Sequence, residues 1–148
     1  MWRDDRGAAA PACPARHGTV RDWMARPPLS VPADCAIGTA LGRMQHAGVR
    51  HLLVTDGDRL VGIVSNRDVR RLLEDPSHPG RLGDPIGRIM TEGPATVAPE
   101  MPVEAAARLL LESRIGALPV RDGDDIIGIF TKSDALEALL ALVPGPAR

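Results

Sequence analysis

Two short motifs carry the groups in this chain that are best suited to chemistry. Ser65 is followed three residues later by Asp68, and Thr131 is followed three residues later by Asp134. A carboxylate at the start of a helix can accept two hydrogen bonds from a ribose diol, while the hydroxyl and the free helix N–H groups can hold a phosphate. Each motif is therefore a candidate for binding a ligand that carries both groups.

The same spacing also has a purely structural explanation. Ser/Thr-x-x-Asp resembles a capping box, in which the hydroxyl accepts from a helix N–H and the acidic side chain accepts from the amide of the capping residue. A carboxylate that closes back on its own main chain cannot fully serve a ligand as well, although the hydroxyl can do both. Both interpretations of Asp68 and Asp134 stay open on the pattern alone.

Both motifs belong to a segment that occurs twice, because residues 55–68 recur sixty-six positions later as residues 121–134. Each copy opens with an Asp-Gly pair between apolar stretches, which predicts a two-residue hairpin turn of type I′. Each then has an apolar strand interrupted by one glycine, Gly62 or Gly128. A glycine inside a strand usually marks a place where something approaches the backbone closely.

The match extends over residues 20–76 and 86–142, so we expect two repeats. Each repeat is predicted to have a leading helical turn, a strand, a crossover helix, a strand hairpin and a final helix. The fold class is therefore α/β, with two βαββα units, three-stranded sheets packed together across a pseudo-two-fold axis, and helices outside. The predicted boundaries are a tail at 1–18, repeats at 19–76 and 85–143, a linker at 77–84 and a tail at 144–148.

Local signals bound the elements of the first repeat. A leading turn over residues 20–26 is followed by two prolines, which cannot continue a helix, and residues 29–31 are predicted to form a short strand. Asp34 is predicted to cap the crossover helix, and Gly48 is predicted to end it.

Composition argues against several classes of protein. The net charge of the 148 residues is −1, and one Phe, two Trp and no Tyr offer little for base stacking. The apolar runs are far shorter than the roughly 20 residues of a membrane span, and charges at Arg3 to Arg6 interrupt any signal peptide. We expect a soluble, cytoplasmic protein with no nucleic-acid or membrane partner.

Catalytic and metal-binding patterns are also missing from the sequence. The chain has no nucleophile, base and acid set, no paired carboxylates in a common motif and no Walker-type loop, so an enzyme is the least supported class. Cys13 and Cys35 form no Cys-x-x-Cys pair, and the histidines share no ligand spacing with them. We therefore expect no metal and no required cofactor.

Together, the two repeats resemble a tandem pair of cystathionine-β-synthase-type (CBS) domains. The residues that carry the resemblance are Met24, Met90, the strands at 49–54 and 115–120, and the Gly-Ile-x-Ser/Thr-x-x-Asp segments at 62–68 and 128–134. It covers residues 19–142. It implies a regulatory module that binds AMP, ADP, ATP or S-adenosylmethionine in clefts between the repeats, and a homodimer shaped as a flat disc.

The resemblance also assigns residues to two clefts, since the Ser/Thr-x-x-Asp of one repeat faces the first two strands of the other. The first cleft would combine Leu29, Val49, Arg50 and His51 with Thr131, Lys132 and Asp134. The second would combine Ala95, Ile115, Gly116 and Ala117 with Ser65, Asn66, Arg67 and Asp68. The cations and histidine of the first cleft favour a di- or triphosphate, whereas the second favours adenosine or AMP. Alternatively, Arg50 or His51 simply faces solvent, because adjacent strand residues point to opposite faces.

The helices of the second repeat carry more apolar surface than one buried face requires. The residues concerned are Leu109, Leu111, Leu136, Leu139, Leu140, Leu142 and Val143. We expect this surface to pack against a second copy and form a homodimer.

Two functions remain compatible with these residues. One is an adenine-nucleotide sensor that shifts shape or partner affinity when a ligand binds. The alternative is a ligand-free interaction or scaffold domain, in which the Asp residues only cap helices. A third and weaker idea is a redox- or metal-responsive module that uses Cys13 and Cys35. The regulated partner protein is not identified by any residue pattern.

Overall fold

The computed structural model describes residues 18–77 and 81–142. Its elements are α1 (Val20–Trp23), β1 (Ser30–Pro32), α2 (Ile37–Ala47), β2 (His51–Asp56), β3 (Arg59–Ser65), α3 (Asn66–Glu74), 3₁₀ turns at Arg81–Gly83 and Ile86–Arg88, β4 (Thr91–Glu92), α4 (Val103–Ser113), β5 (Ala117–Asp122), β6 (Asp125–Thr131) and α5 (Lys132–Leu142). The mixed α/β fold with two repeats is confirmed.

These elements form two compact units that do not coincide with the repeats. Within the described residues, the first unit comprises residues 28–94 and the second unit comprises residues 18–27 and 95–142. The leading segment of repeat 1, with α1, thus belongs to the second unit. The leading segment of repeat 2, with the Ile86–Arg88 turn and β4, belongs to the first unit. Each repeat has exchanged its leading segment with the other.

The first unit is built on a sheet with the strand order β1-β2-β3-β4. β1 is parallel to β2, and the other neighbours are antiparallel. β4 adds a fourth strand to the three predicted, because the exchanged segment pairs Thr91 with Ile63. The core of this unit includes the fully buried side chains of Val31, Ile37, Met44, Leu52, Val54, Val64 and Ile86.

The second unit repeats this arrangement with fewer formal strands. β5 and β6 are antiparallel, a parallel bridge joins Val97 to Val120 at one edge, and an antiparallel bridge joins Ala25 to Ile129 at the other. The order is therefore the same as in the first unit, with an exchanged segment at the outer edge. Its core includes the buried side chains of Val20, Val97, Leu110, Leu118, Val120 and Phe130.

The exchange explains the glycine inside each hairpin. A Cβ atom on Gly128 would lie 2.7 Å from Met24 Sδ and 2.9 Å from Ala25 O. A Cβ atom on Gly62 would lie 2.8 Å from Met90 Cγ and 3.0 Å from Thr91 O. The close approach predicted from the two glycines is confirmed, and the approaching chain is the leading segment of the other repeat.

The hairpin turns differ from the predicted type. Gly57 and Gly123, with φ values of 62° and 64°, occupy the first position of each two-residue loop, whereas the Asp-Gly prediction placed them at the second. Among the described residues, however, Arg114 is the one non-glycine residue with positive φ, so Asp58 and Asp124 have negative φ. Positive φ at the first position alone is the pattern of a type II′ turn, so the predicted type I′ is wrong.

The start of α2 also corrects a prediction, whereas its end confirms one. Asp34 is not the cap, because α2 begins after Ala36 and the Ile37 amide donates to Asp84 O at 2.9 Å. A carbonyl distant in sequence thus satisfies the helix start, and no local acid is needed. Gly48 ends the helix in the left-handed region, with φ of 70°.

Candidate functional site

The Ser/Thr-x-x-Asp motif of the first unit forms a capping box at the start of α3. The Ser65 amide donates to Asp68 Oδ2 at 2.9 Å, and the Asp68 amide donates to Ser65 Oγ at 3.1 Å. The extended backbone of Ser65, with φ of −112° and ψ of 160°, leads directly from β3 into this cap. The structural interpretation of Asp68 is therefore confirmed.

The equivalent motif of the second unit closes in the same way. The Thr131 amide donates to Asp134 Oδ2 at 2.8 Å, and the Thr131 hydroxyl lies 3.1 Å from the same oxygen. The Asp134 amide donates to Thr131 Oγ1 at 3.3 Å. Capping is thus confirmed for Asp134 as well.

Capping leaves part of each carboxylate available. Within the described part of the chain, every hydrogen bond made to Asp68 or Asp134 side chains goes to Oδ2. Oδ1 of each carboxylate takes no part in the box, although a carboxylate oxygen can accept two hydrogen bonds. Capping and ligand binding by the Asp therefore need not compete, because the cap uses one oxygen of each carboxylate.

Asp134 also differs electrostatically from an ordinary surface carboxylate. Burial raises the pKa of Asp134, and Glu137 adds to this rise, whereas the hydrogen bonds from the Thr131 amide and hydroxyl lower it. Because burial is the larger effect, the charged form lacks part of the solvation it would have in water. A donor placed on Oδ1 would compensate for that loss.

In the first unit, strand pairing brings two of the predicted basic residues to the capping box. His51 pairs with Ser65 across β2 and β3, and the Asn66 amide donates to Arg50 O at 2.8 Å. The side chain of Arg50 is exposed, and that of His51 is half-buried. Arg67 is exposed at the first turn of α3. The backbone of two arginines and a histidine thus lies at the strand end where this capping box forms.

The equivalent strand end of the second unit has a different charge pattern. Ala117 pairs with Thr131, and the Lys132 amide donates to Gly116 O at 3.1 Å. Gly116 and Ala117 carry no polar side chain, so the exposed Lys132 is the cation that adjoins this box. Ile115 packs against the core of the unit.

The remaining predicted residues lie in segments that precede strands. Leu29 packs against the core of the first unit, and its carbonyl accepts from the Leu53 amide at 3.0 Å. Val49 is 37% exposed, and Ala95 packs against the core of the second unit. The assignment of residues from both units to a common cleft stays a prediction of the resemblance.

Met24 and Met90 have a packing role that residue spacing does not indicate. Each packs on the glycine of a strand that leads to a capping box, Met24 on β6 and Met90 on β3. The strand glycines signalled that a segment approaches. They did not indicate which segment it is.

The predicted absence of a metal site can be compared only with the cysteine and histidines that the structure describes. Within residues 18–77 and 81–142, no group of three or more His, Cys, Asp or Glu side chains is placed to hold a metal ion. Cys35 is half-buried with Sγ 3.5 Å from Ala36 O, whereas Cys13, His17 and His78 lie outside the described residues. In the same described ranges, no helix has the length and apolar character to span a bilayer.

Known proteins share this repeat and this fold. A CBS domain-containing protein of Dictyostelium discoideum is 29% identical over 134 residues, which is 84% of this chain and 92% of that protein. CBSX2, solved in complex with AMP, is 31% identical with a TM-score of 0.69, over 84% of this chain and 98% of that chain. A CBS domain pair solved with 5′-methylthioadenosine and S-adenosyl-L-methionine is 25% identical with a TM-score of 0.74, over 86% and 98%.

Several relatives are enzymes of which this chain matches a small part. The chain spans between 13% and 24% of the length of these enzymes, so the match is to a side domain. The family model of the CBS domain matches residues 20–75 and 86–141. These segments are the two repeats recognised in the sequence and cover more than half of the chain, which therefore belongs to the CBS domain family as a tandem pair.

Proposed function

We propose that this chain is a regulatory module without catalytic activity, which binds an adenosine-containing ligand such as AMP, ADP, ATP or S-adenosylmethionine. Two similar CBS proteins were solved with ligands of this class. The observation that carries the proposal is the Asp134 box, in which Oδ2 is fixed by Thr131 and Oδ1 is left for another donor.

Each group of the box is proposed to contact one part of the ligand. Oδ1 of Asp134 accepts from the ribose hydroxyls, and the charge-assisted bonds offset the poor solvation of the carboxylate. The Lys132 amide already donates to Gly116 O, and the Asp134 amide already donates to Thr131 Oγ1. A phosphate therefore contacts the Lys132 side chain and the Ser133 amide, an early helix N–H without an intrahelical acceptor.

The uneven distribution of cations supports two ligands of different charge. Arg50 and His51, with Leu29 and Val49, are proposed to serve the same ligand as Thr131, Lys132 and Asp134, which then carries a di- or triphosphate. The second proposed site binds adenosine or AMP and combines Ser65, Arg67 and Asp68 with Ala95, Ile115 and Gly116. Both assignments follow the family's pattern of residue pairing.

The regulatory effect is a population shift that involves no bond chemistry and no required cofactor. A ligand that binds one conformation better than another shifts the equilibrium by its differential affinity. A homodimer through the repeat helices, a regulated partner protein and a cytoplasmic location complete the proposal. They are tested by sedimentation, by affinity capture with and without nucleotide, and by imaging.

The second candidate function is a ligand-free interaction domain. It is favoured by the complete capping boxes at Asp68 and Asp134, which give both carboxylates a structural role. Under this alternative, substitution of either Asp changes stability and leaves partner binding unchanged.

Titration calorimetry separates the two functions. ATP, ADP, AMP and S-adenosylmethionine are titrated into the wild type, Asp134→Asn and Asp68→Asn. Asn keeps an oxygen for the capping amide and removes the charge, so the two variants are matched in their effect on the cap. Loss of a charge-assisted bond of about 1.5–3 kcal/mol predicts that D134N weakens di- or triphosphate binding by about 10- to 100-fold, while D68N does not. Absence of heat with all four ligands at millimolar concentration would refute the sensor.

A further inference from the structure

A cleft that combines charged and apolar residues lies in the first unit, where residues 81–89 meet α2 and α3. Its volume is about 430 Å³, which falls within the roughly 300–1,000 Å³ of small-molecule pockets. The cleft is lined by Ile37, Leu72, Arg81, Asp84, Arg88 and Ile89. These residues are separate from those of the two proposed nucleotide sites.

Two guanidinium groups in this cleft converge on one carboxylate. Nη1 of Arg81 lies 3.6 Å from Asp84 Oδ2, and Nη1 of Arg88 lies 3.7 Å from the same oxygen. Charge-assisted hydrogen bonds are about 2.7–2.9 Å long, so both contacts are loose ion pairs that leave the guanidinium N–H donors available. The side chains of Arg81, Arg88 and Asp84 are 43%, 66% and 30% exposed, respectively, so a solute can reach them. The cleft therefore carries an excess of positive charge.

Backbone hydrogen bonds hold the segment that carries both arginines against the start of α2. The Ile37 amide donates to Asp84 O at 2.9 Å. The Ile86 amide donates to Cys35 O at 2.7 Å. These bonds use main-chain atoms, so a change of the charged side chains leaves the support of the cleft in place.

The second unit does not carry this set of charges at the equivalent positions. Sixty-six residues earlier than Arg81 and Arg88, the sequence has Ala15 and Asp22. Asp22 has the opposite charge to Arg88, and its Oδ2 accepts from the Thr19 amide at 2.9 Å. The pair of arginines is thus particular to the first unit and is not a requirement of the repeat.

The other lining residues determine what kind of anion fits. Ile37 belongs to the core of the unit, and Leu72 and Ile89 pack against that core. An anion with a small apolar body can therefore use both kinds of lining. A phosphate monoester suits the arginines better than a carboxylate, because it carries a charge of about −1.5 to −2 at pH 7. The planar guanidinium group also matches the geometry of phosphate oxygens.

We propose that this cleft binds a phosphate monoester with a small apolar or aromatic group. The phosphate contacts Arg81 and Arg88, and the organic group lies against Leu72 and Ile89. Asp84 competes with the phosphate for the two guanidinium groups, so its charge weakens binding. The inference is independent of nucleotide binding.

A titration of phenyl phosphate into the full-length chain, followed by amide chemical shifts, tests the proposal. The Ile37, Leu72 and Asp84 amides are expected to show a saturable shift at millimolar phenyl phosphate. Inorganic phosphate lacks the apolar body and benzoate lacks the second charge, so both are expected to bind more weakly. No saturable shift of these amides would overturn the site, and equal affinity for all three probes would overturn the proposed ligand class.

Substitutions of the arginines test the origin of the affinity. Arg81→Gln and Arg88→Gln are each expected to weaken phenyl phosphate binding by about tenfold, because each removes charge-assisted contacts. Arg59→Gln is the matched control, since Arg59 is an exposed arginine of the same unit that does not line the cleft. An equal loss in R59Q would show general charge attraction and overturn the site.

Asp84→Asn gives the sharpest result, because it should strengthen binding. Removal of a like charge a few ångströms from the phosphate predicts a gain of about fivefold in affinity. A purely structural ion pair predicts no gain, so unchanged or weaker binding in D84N would overturn the competition. D134N should bind phenyl phosphate as the wild type does, and a loss there would place the probe at the nucleotide site and overturn a separate cleft.

Discussion

The two units are built by the same rules and differ in what they present at the surface. Both have a hydroxyl and carboxylate capping box, a strand glycine beneath a methionine and an exchanged leading segment. They differ beside the box, where Arg50 and His51 of the first unit correspond to Gly116 and Ala117 of the second. They also differ on the helices, where Gln45 and Arg70 stand in place of Leu111 and Leu136.

This contrast separates residues that the backbone requires from residues that are free to specialise. The shared residues satisfy helix amides or admit a segment at van der Waals distance, so each repeat needs them for its own fold. Among the differing residues of the first unit, Gln45, Arg50 and Arg70 are exposed and His51 is half-buried. Ligand charge and partner choice are therefore expected to reside in the differing residues.

The largest predicted effect concerns the shared glycines. Gly128→Ala and Gly62→Ala are each expected to lower the free energy of unfolding by about 1–3 kcal/mol or more, because the new methyl group meets backbone oxygen at 2.9 Å or 3.0 Å. Urea denaturation measures the change. Gly42→Ala in α2 is the matched control, since its Cβ would have no neighbour within 4 Å and alanine favours the helix by roughly 0.5–1 kcal/mol. Equal effects at all three glycines would break the argument for the exchanged segments.

The next effect concerns the differing cations. Lys132→Ala and Arg50→Ala are each expected to weaken ATP binding by about tenfold and AMP binding by less, because the additional phosphates lose a charge-assisted contact of about 1.5 kcal/mol. Arg67→Ala is the control on the equivalent side of the first unit. Calorimetry that gives the same loss for ATP and AMP would contradict a polyphosphate role for these cations.

The capping hydroxyls are expected to matter similarly in the two units. Ser65→Ala and Thr131→Ala remove the acceptor of the Asp68 and Asp134 amides, respectively, and each should lower the unfolding free energy by about 1 kcal/mol. Thermal or urea denaturation provides the comparison. A neutral result at one site would show that its box forms only in part in solution.

The smallest effect is a pH dependence at Asp134. Since the folded state raises the pKa of Asp134, its contribution to stability is fully present below the unfolded pKa of about 3.9 and is lost as the pH rises through the folded pKa. The unfolding free energy of D134N relative to the wild type should therefore increase across that window. Glu137→Gln should narrow the pH range over which this change occurs, because Glu137 contributes to the raised pKa of Asp134. A relative stability that falls with pH would contradict the assigned direction.

The local parts of the fold were predictable because local residues determine them. The glycine of each hairpin loop, Gly48 at the end of α2 and the Ser/Thr and Asp of each box act within a few residues of one another. Asp34 does not cap α2 because the Asp84 carbonyl, distant in sequence, accepts from the Ile37 amide at the start of the helix. The turn type depended on Asp58 and Asp124, whose backbone is not determined by the Asp-Gly pair.

The exchange of leading segments could not be predicted for a different reason. Both repeats carry the same pattern, with Met24 and Met90 at equivalent positions and a glycine in each hairpin. By sequence, a leading segment fits either sheet equally well. Only the path of the chain determines which sheet the segment joins. The double use of Asp134, with one oxygen for the cap and the other available, likewise depends on geometry that a residue pattern does not contain.

The account depends on ligand contact at the Asp134 box, and amide chemical shifts measured during an ATP titration test it most directly. The predicted result is a saturable shift of the Ser133 and Thr131 amides in the wild type, which in D134N requires an ATP concentration about 10- to 100-fold higher. Shifts that spare residues 131–134 while ATP binds elsewhere, or no shift at millimolar ATP, would contradict it.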